Sequence, residues 1–190
     1  MLTSFTQSGQ GTIQAFPSLL ACDLPSNQSN PDVPAQSLAR LYARPGFLLR
    51  RAHQISASVF EDECRSVGLT PAQFGVLTVV RASPGLDQSS LARALGFDKV
   101  TVLRVLRGLE TCGLVLRSPA PESRRNLAVA LSPAGEKLLK QAHKPAERAY
   151  QRLMAPLTSE QQTQLVALLQ QLTEGLAGEA RAVFLPPERE

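Results

Sequence analysis

The stretch DKVTVLRVLRGLETCGLV, residues 98–115, decides how the rest of the chain is read. Val102, Val105 or Leu106, and Leu109 recur at helical spacing and mark a core-facing side. Lys99, Val100, Thr101, Arg104 and Arg107 fall on the other side. Asp98 stands where an N-cap side chain belongs, and Gly113 stands just past the end, where a left-handed residue stops a helix. Leu114 and Val115 follow at once, so the chain reverses and returns apolar residues to the core directly after the helix.

Working upstream, Asp87 caps a short helix whose Leu91 and Leu95 face inward and whose C-cap is Gly96. Before it, Thr70-Pro71-Ala72-Gln73 reads as a capping box with proline at the first helical position. The helix it opens runs from Pro71 to about Ala82, carries Phe74, Leu77 and Val80 at core spacing, and breaks at Ser83-Pro84-Gly85. Three short helices with a turn at Gly96-Phe97 make a helix-turn-helix pattern. Downstream, Leu127, Val129 and Leu131 alternate with smaller residues as a half-buried strand does. The polar SPAPESRR before them reads as a loop with two adjacent arginines, Arg124 and Arg125. A β-hairpin directly after a helix-turn-helix is a wing.

The outer segments are helical. From Pro45, one stripe contains Leu48, Ala52, Ile55 and Val59, and a neighbouring one continues through Phe60, Cys64 and Val67 to a stop at Gly68. Ser132-Pro133 caps a long helix with Leu138, Leu139, Ala142, Ala149, Leu153 and Leu157 on its apolar side, and a bend is expected near Pro145. Thr158 to Gln161 forms another capping box before Leu165, Leu168, Leu169, Leu172 and Leu176. Residues 1–38, rich in Ser, Gln, Asn and Pro, read as a disordered tail. The expected division is a tail at 1–38, a first dimerisation helix at 39–68, a winged helix-turn-helix DNA-binding domain at 69–132, and C-terminal dimerisation helices at 133–184. The fold class is mainly α with a small β-hairpin wing.

Charge points to a partner. Residues 93–125 carry seven basic side chains against three acidic ones, whereas the flanking stretches are each balanced, so the whole net charge of +4 sits in this window. A polyanion is the direct reading, and a solvated face that only aids solubility is the bland one. In the major groove, Arg104 would make a bidentate contact to guanine, Val100 and Thr101 would touch a thymine methyl or a backbone oxygen, later side chains such as Arg107 would reach phosphates, and Lys99 joins the DNA-binding set. The wing tip would offer Arg124 and Arg125 to the adjacent minor groove. Three cysteines without a CxxC pair, and two distant histidines, argue against a disulfide scaffold, a zinc site or an enzyme. No apolar run spans a bilayer and no basic secretory start is seen, so a cytoplasmic protein without a cofactor or membrane partner is expected.

LTPAQFGVLTVV, LDQSSLARALGFDKVTVLRVLRGLETCGLV and PESRRNLAVALSPAG together resemble the MarR family of winged-helix regulators over about residues 45–176. The resemblance implies a homodimer in which the first and the last two helices interlock, with the two winged modules in successive major grooves of a pseudo-palindromic DNA operator. The family's wing pattern reads Asp-x-Arg. Here Ser123 replaces the aspartate, with Arg125 at the arginine position, which implies a looser tip. GFLLRRAHQISASVFEDEC and PGLDQ are similar to the nicotinate-degradation repressors of the NicR and BpsR group, which respond to 6-hydroxynicotinate. That likeness implies a small aromatic acid effector in the crevice beside the first helix. There Arg50 and Arg51 would hold a carboxylate, His53 or Gln54 would bond a hydroxyl or ring nitrogen, and Phe74 and Leu77 would form apolar walls. The alternative for the arginines is to snorkel over the dimer interface, and for His53 and His143 a structural role.

Two other functions fit the same sequence. A cysteine-based redox sensor of this fold would need an exposed thiolate, yet Cys22 lacks basic neighbours, Cys64 follows Glu61-Asp62-Glu63, and Cys112 closes the basic helix. A winged module used for protein assembly would turn its basic window toward an acidic partner instead of DNA.

Overall fold

The computed structural model describes residues 35–120 and 123–187. The expected tail at 1–38 lies outside the described residues except for its last four. The chain divides after Leu41 into two units. The described part of the first lies in a short helix that the sequence reading did not anticipate, α1 (Ala35–Tyr42), whose last residue already belongs to the second unit.

The second unit runs α2 (Pro45–Glu63), α3 (Pro71–Ala82), α4 (Gln88–Leu95), α5 (Lys99–Thr111), β1 (Val115–Ala120), β2 (Ser123–Leu131), α6 (Pro133–Met154) and α7 (Ser159–Gly175), then a single 3-10 turn (Ala177–Glu179). The caps fall where the sequence places them. Thr70 and Gln73 form the capping box of α3, Asp87 accepts from the Ser90 amide, and Thr158 and Gln161 box the start of α7. Each cap satisfies amide groups that a helix start leaves without partners. One boundary differs: α2 ends at Glu63, and the residues up to Gly68 form a turn in which the Gly68 amide donates to the Cys64 carbonyl at 3.0 Å.

The core belongs to the winged module. Val76, Leu77 and Val80 of α3, Leu91 of α4, Val102, Leu106 and Leu109 of α5, Val115 and Val129 of the hairpin, and Leu139 and Ala142 of α6 form one buried cluster. The open choice between Val105 and Leu106 resolves to Leu106, with Val105 packed at the edge. Each large aliphatic side chain so buried stabilises the module by about 1.5–3 kcal/mol relative to exposure.

The hairpin is longer than expected. Ser118, Pro119 and Ala120 pair in β1 and β2 starts at Ser123, so most of SPAPESRR is strand rather than loop. A bridge joins Asp87 to Ala128, and Val129 exchanges two 3.0 Å hydrogen bonds with Gly85 and Leu86, adding a rung on the free edge of β2. This rung covers Ala128 and Val129. Leu127, one residue nearer the tip and expected to face inward, is 43% exposed.

Ser132 locks the hairpin to both flanking helices. Its hydroxyl donates to the Gly113 carbonyl at 2.6 Å and accepts from the Gly135 amide at 3.0 Å, and its own amide donates to the Leu114 carbonyl at 3.1 Å. Helix α6 continues unbroken through Pro145, whose ring is buried. The inward position near its end is Met154 rather than Leu153.

Helices α2 and α7 have no buried residue within the chain. They border, with the end of α6, an apolar groove of about 780 Å³ lined by Leu48, Ile55, Tyr150, Leu165, Leu169 and Leu172, among others. Polar contacts tie α2 to α6: Arg152 reaches Asp62 at 2.6 Å and Glu63 at 3.2 Å, and Arg148 reaches Glu63 at 3.1 Å. The Arg152 hydrogen bond, reinforced by its charge and that of Arg65, lowers the Asp62 pKa below the ordinary value of 3.8. A carboxylate with a depressed folded pKa stabilises the fold above its unfolded pKa, and that contribution disappears as pH falls through the folded value. Asp62→Asn is therefore expected to lower Tm modestly at neutral pH. In acid, below that folded value, the gap from wild type should close, because both chains then carry a neutral group. Circular-dichroism melts at the two pH values measure it, and a gap that persists in acid would assign the loss to packing.

Candidate nucleic-acid interface

Helix α5 starts on a doubly used cap. One Asp98 carboxylate oxygen accepts from the Thr101 amide at 2.8 Å and the other from the Thr101 hydroxyl, also at 2.8 Å. These bonds hold the Asp98 pKa below the usual aspartate range, so the cap stays ionised at neutral pH. Gly96, at φ 62, and Gly113, at φ 67, end α4 and α5 in the left-handed region. After Gly113 the Leu114 amide returns to the Leu109 carbonyl at 2.9 Å, a bond that aims the wing away from the helix.

The outward face of α5 matches the sequence reading. Lys99, Val100, Arg104 and Arg107 are exposed, Val100 by 76%. Thr101 is half-buried and its hydroxyl is committed to Asp98, leaving its methyl group as the outward contact. Among the described residues, none of Lys99, Arg104 and Arg107 makes an ion pair. A row of unpaired cations on a rigid helix is an electrostatic site for a polyanion. Arg117 is different. It belongs to the basic window, but on β1 it pairs with Glu110 of α5, lowering the Glu110 pKa and tying wing to helix. Arg124 and Arg125 lie on the β2 backbone, and their side chains, with that of Ser123, fall outside the described residues.

The structure scatters the expected effector residues. Arg50 donates to Gln54 at 3.2 Å and lies 5.0 Å over the Phe47 ring, while Arg51 points to solvent. His53 borders the apolar groove instead. Leu77 is fully buried in the winged core and lines no crevice, because it sits on the face of α3 that meets α5 and the sheet. Phe74 stacks on Phe60 at 5.5 Å and opens onto a separate cavity of about 370 Å³, mostly apolar, where Thr78, Arg81, Leu139 and His143 meet. Arg81 and His143 were not selected from sequence. Their only signal is a cation on α3 and an imidazole on α6, and nothing local places these together.

Comparison with known proteins follows the same lines. The MarR family model matches residues 67–126. A regulatory protein assigned to the hcr operon of Thauera aromatica is 34% identical over 131 residues, covering 67% of this chain and 77% of that protein. The chain belongs to the MarR family. Among solved MarR-type structures, the transcriptional repressor CouR bound to a 23-mer DNA duplex is 31% identical with a TM-score of 0.67, covering 72% of this chain and 96% of that one. BpsR of Bordetella bronchiseptica, described with 6-hydroxynicotinic acid regulating its DNA binding, is 30% identical with a TM-score of 0.66, covering 70% and 94%. The winged-helix fold class and the likeness to the BpsR group thus both hold. The family is one of transcriptional regulators, and the helix that carries the unpaired cations lies within the matched segment.

The redox alternative loses its buried candidate. Cys64 is wholly inaccessible, and burial pushes its thiol pKa up, away from a reactive thiolate. Among the described residues no group of His, Cys, Asp and Glu is placed to hold a metal, and no helix is long and apolar enough to cross a membrane.

Proposed function

We propose that the protein is a cytoplasmic transcriptional repressor that binds a pseudo-palindromic operator as a homodimer and is released by a small aromatic acid. The observation that carries this reading is the exposed, unpaired row of Lys99, Arg104 and Arg107 on a capped helix whose wing is anchored by Glu110–Arg117. In this reading α5 lies in the major groove, with Arg104 at a guanine edge, Val100 and the Thr101 methyl near thymine, and Lys99 and Arg107 on phosphates. Arg124 and Arg125 reach the neighbouring minor groove. The apolar sides of α2 and α7, left uncovered by their own chain, pair with those of a second copy. The dimer then sets the two α5 helices about 34–36 Å apart.

The effector is assigned to the cavity at Phe74. Its volume of about 370 Å³ suits a single aromatic ring, with Phe74 and Leu139 as walls, Arg81 for the carboxylate and His143 for a hydroxyl or ring nitrogen. Among the described residues Arg81 is held by a single 3.8 Å contact to Glu136, which a ligand carboxylate can displace. BpsR motivates 6-hydroxynicotinate as the first acid to test. Release requires that the ligand favour a dimer geometry with the wrong half-site spacing, and a full switch from 1:99 to 99:1 takes about 5.5 kcal/mol of differential binding.

Fluorescence anisotropy on DNA from the gene's own upstream region tests the reading, first at two salt concentrations and then with 6-hydroxynicotinate, nicotinate and salicylate added. Tight, salt-sensitive binding released by one of these acids is expected. Arg81→Ala should keep operator affinity and lose the response, moving the half-effective acid concentration upward by about tenfold or more. Binding insensitive to all three acids would leave a regulator with another effector. The absence of specific binding would favour the protein-assembly module.

A further inference from the structure

Residues beyond α7 return to the helix-turn-helix. The Leu185 amide donates to the Arg93 carbonyl at 2.9 Å, and the Phe184 ring lies across the α4–α5 turn, 3.7 Å from where a side chain on Gly96 would begin. The docked segment walls a cavity of about 450 Å³ together with Ser89, Arg93, Asp98 and Lys99, and Arg181 is on its rim. Three cations thus converge beside the start of α5. Among the described lining residues Asp98 is the acid, and both its carboxylate oxygens accept hydrogen bonds from Thr101. None of Arg93, Lys99 and Arg181 makes an ion pair among the described residues. The ionised Asp98 offsets one of these charges and Arg93 acts on Asp87, so an excess of positive charge remains at the cavity, and a phosphate there would offset it.

We propose that the docked segment 181–185 is part of the DNA-contacting surface, and that it positions Arg181 to bind a backbone phosphate at the edge of the helix-turn-helix. This rests on the DNA-binding reading above and adds a contact to it. The location suits the role. In a helix-turn-helix the first helix crosses the phosphate backbone while the second enters the groove, and Ser89 at the start of α4 and Lys99 at the start of α5 flank the cavity. A phosphate contact adds affinity without base preference and steepens the salt dependence. Phe184 acts only as an anchor on the turn.

The test is operator binding by the full-length chain at several salt concentrations, comparing wild type with Arg181→Ala, Arg181→Lys, Phe184→Ala and Arg104→Ala. Arg181→Ala is expected to weaken binding several-fold, equally on operator and on unrelated duplex, and to reduce the log–log salt slope by about one. Arg181→Lys should restore most of the slope. Phe184→Ala, which keeps every charge but frees the segment, should weaken binding in the same direction with an unchanged melting profile. Unchanged affinity and slope in Arg181→Ala, alongside a loss in Arg104→Ala, would overturn this inference and leave the DNA-binding reading standing. Tighter binding by Phe184→Ala would overturn it in favour of a segment that covers the interface. If the wild type shows no salt-sensitive DNA binding, both readings fall together.

Discussion

Gly135→Ala is expected to destabilise the winged module by about 3 kcal/mol or more, lowering Tm by roughly 6–12 °C. A methyl group at Gly135 would sit 2.1 Å from the Leu114 carbonyl oxygen and 3.0 Å from its carbon. Those are backbone atoms, and they cannot rotate away. The Leu114 amide is bound to Leu109 at 2.9 Å, and its carbonyl accepts from Ser132 at 3.1 Å. To admit the methyl, α6 must lift off the start of β1, breaking the Ser132 lock on which helix, wing and α5 all converge. Gly108→Ala provides the control. That position is in α5 with nothing within 4 Å of the added carbon, so the same substitution should be neutral or raise Tm through the better helix propensity of alanine. Thermal melts of the two variants decide the matter. Equal effects would show that the close approach at Gly135 relaxes at little cost.

Arg104→Ala carries the largest expected effect on function. The side chain is exposed and makes no hydrogen bond or ion pair among the described residues, so its removal should leave stability within about 0.5 kcal/mol of wild type. Loss of a bidentate contact to a base edge should cost about 1–3 kcal/mol of operator affinity, roughly 5- to 150-fold, and relax preference at one base pair in each half-site. Arg107→Ala should behave differently, weakening all duplexes alike and lowering the salt slope. The discriminating measurement is a panel of single-base operator variants titrated with each protein. If Arg104→Ala loses affinity uniformly across that panel, Arg104 touches phosphate and base reading lies elsewhere on α5.

Much of this was legible locally. Asp98, Thr70, Asp87, Ser132 and Thr158 each cap a helix because a short polar side chain reaches an amide only two or three residues away. Val102, Leu106 and Leu109 share a face through the helical period alone, and the same period sends Arg104 and Arg107 outward. For that reason the order of elements, the helix-turn-helix and the basic face are properties of contiguous sequence. Alternation failed at Leu127 because burial there depends on how far a distant rung at Asp87 extends along β2.

The effector residues were the weakest reading, for a related reason. Phe74 and Leu77 are three apart on α3, yet one opens onto the Arg81–His143 cavity and the other fills the core. Periodicity names a side of a helix, and only the neighbours on that side decide between pocket and packing. Likewise α2 carries a strong apolar stripe that its own chain leaves bare, so hydrophobicity alone could not separate a core from an interface.

Interactions within a few residues set the order of the main helices and strands, their caps and the helix that presents its cations to solvent, whereas α1, the end of α2 and the reach of the hairpin were not readable locally. Contacts between distant residues spend Arg117 on Glu110, leave no room for a side chain on Gly135 where Leu114 passes against it, and bring Arg181 to Lys99 beside the start of α5. Those depend on residues 7, 21 and 82 positions apart, and what brings them together is the closing of one shared core rather than any local preference of the chain.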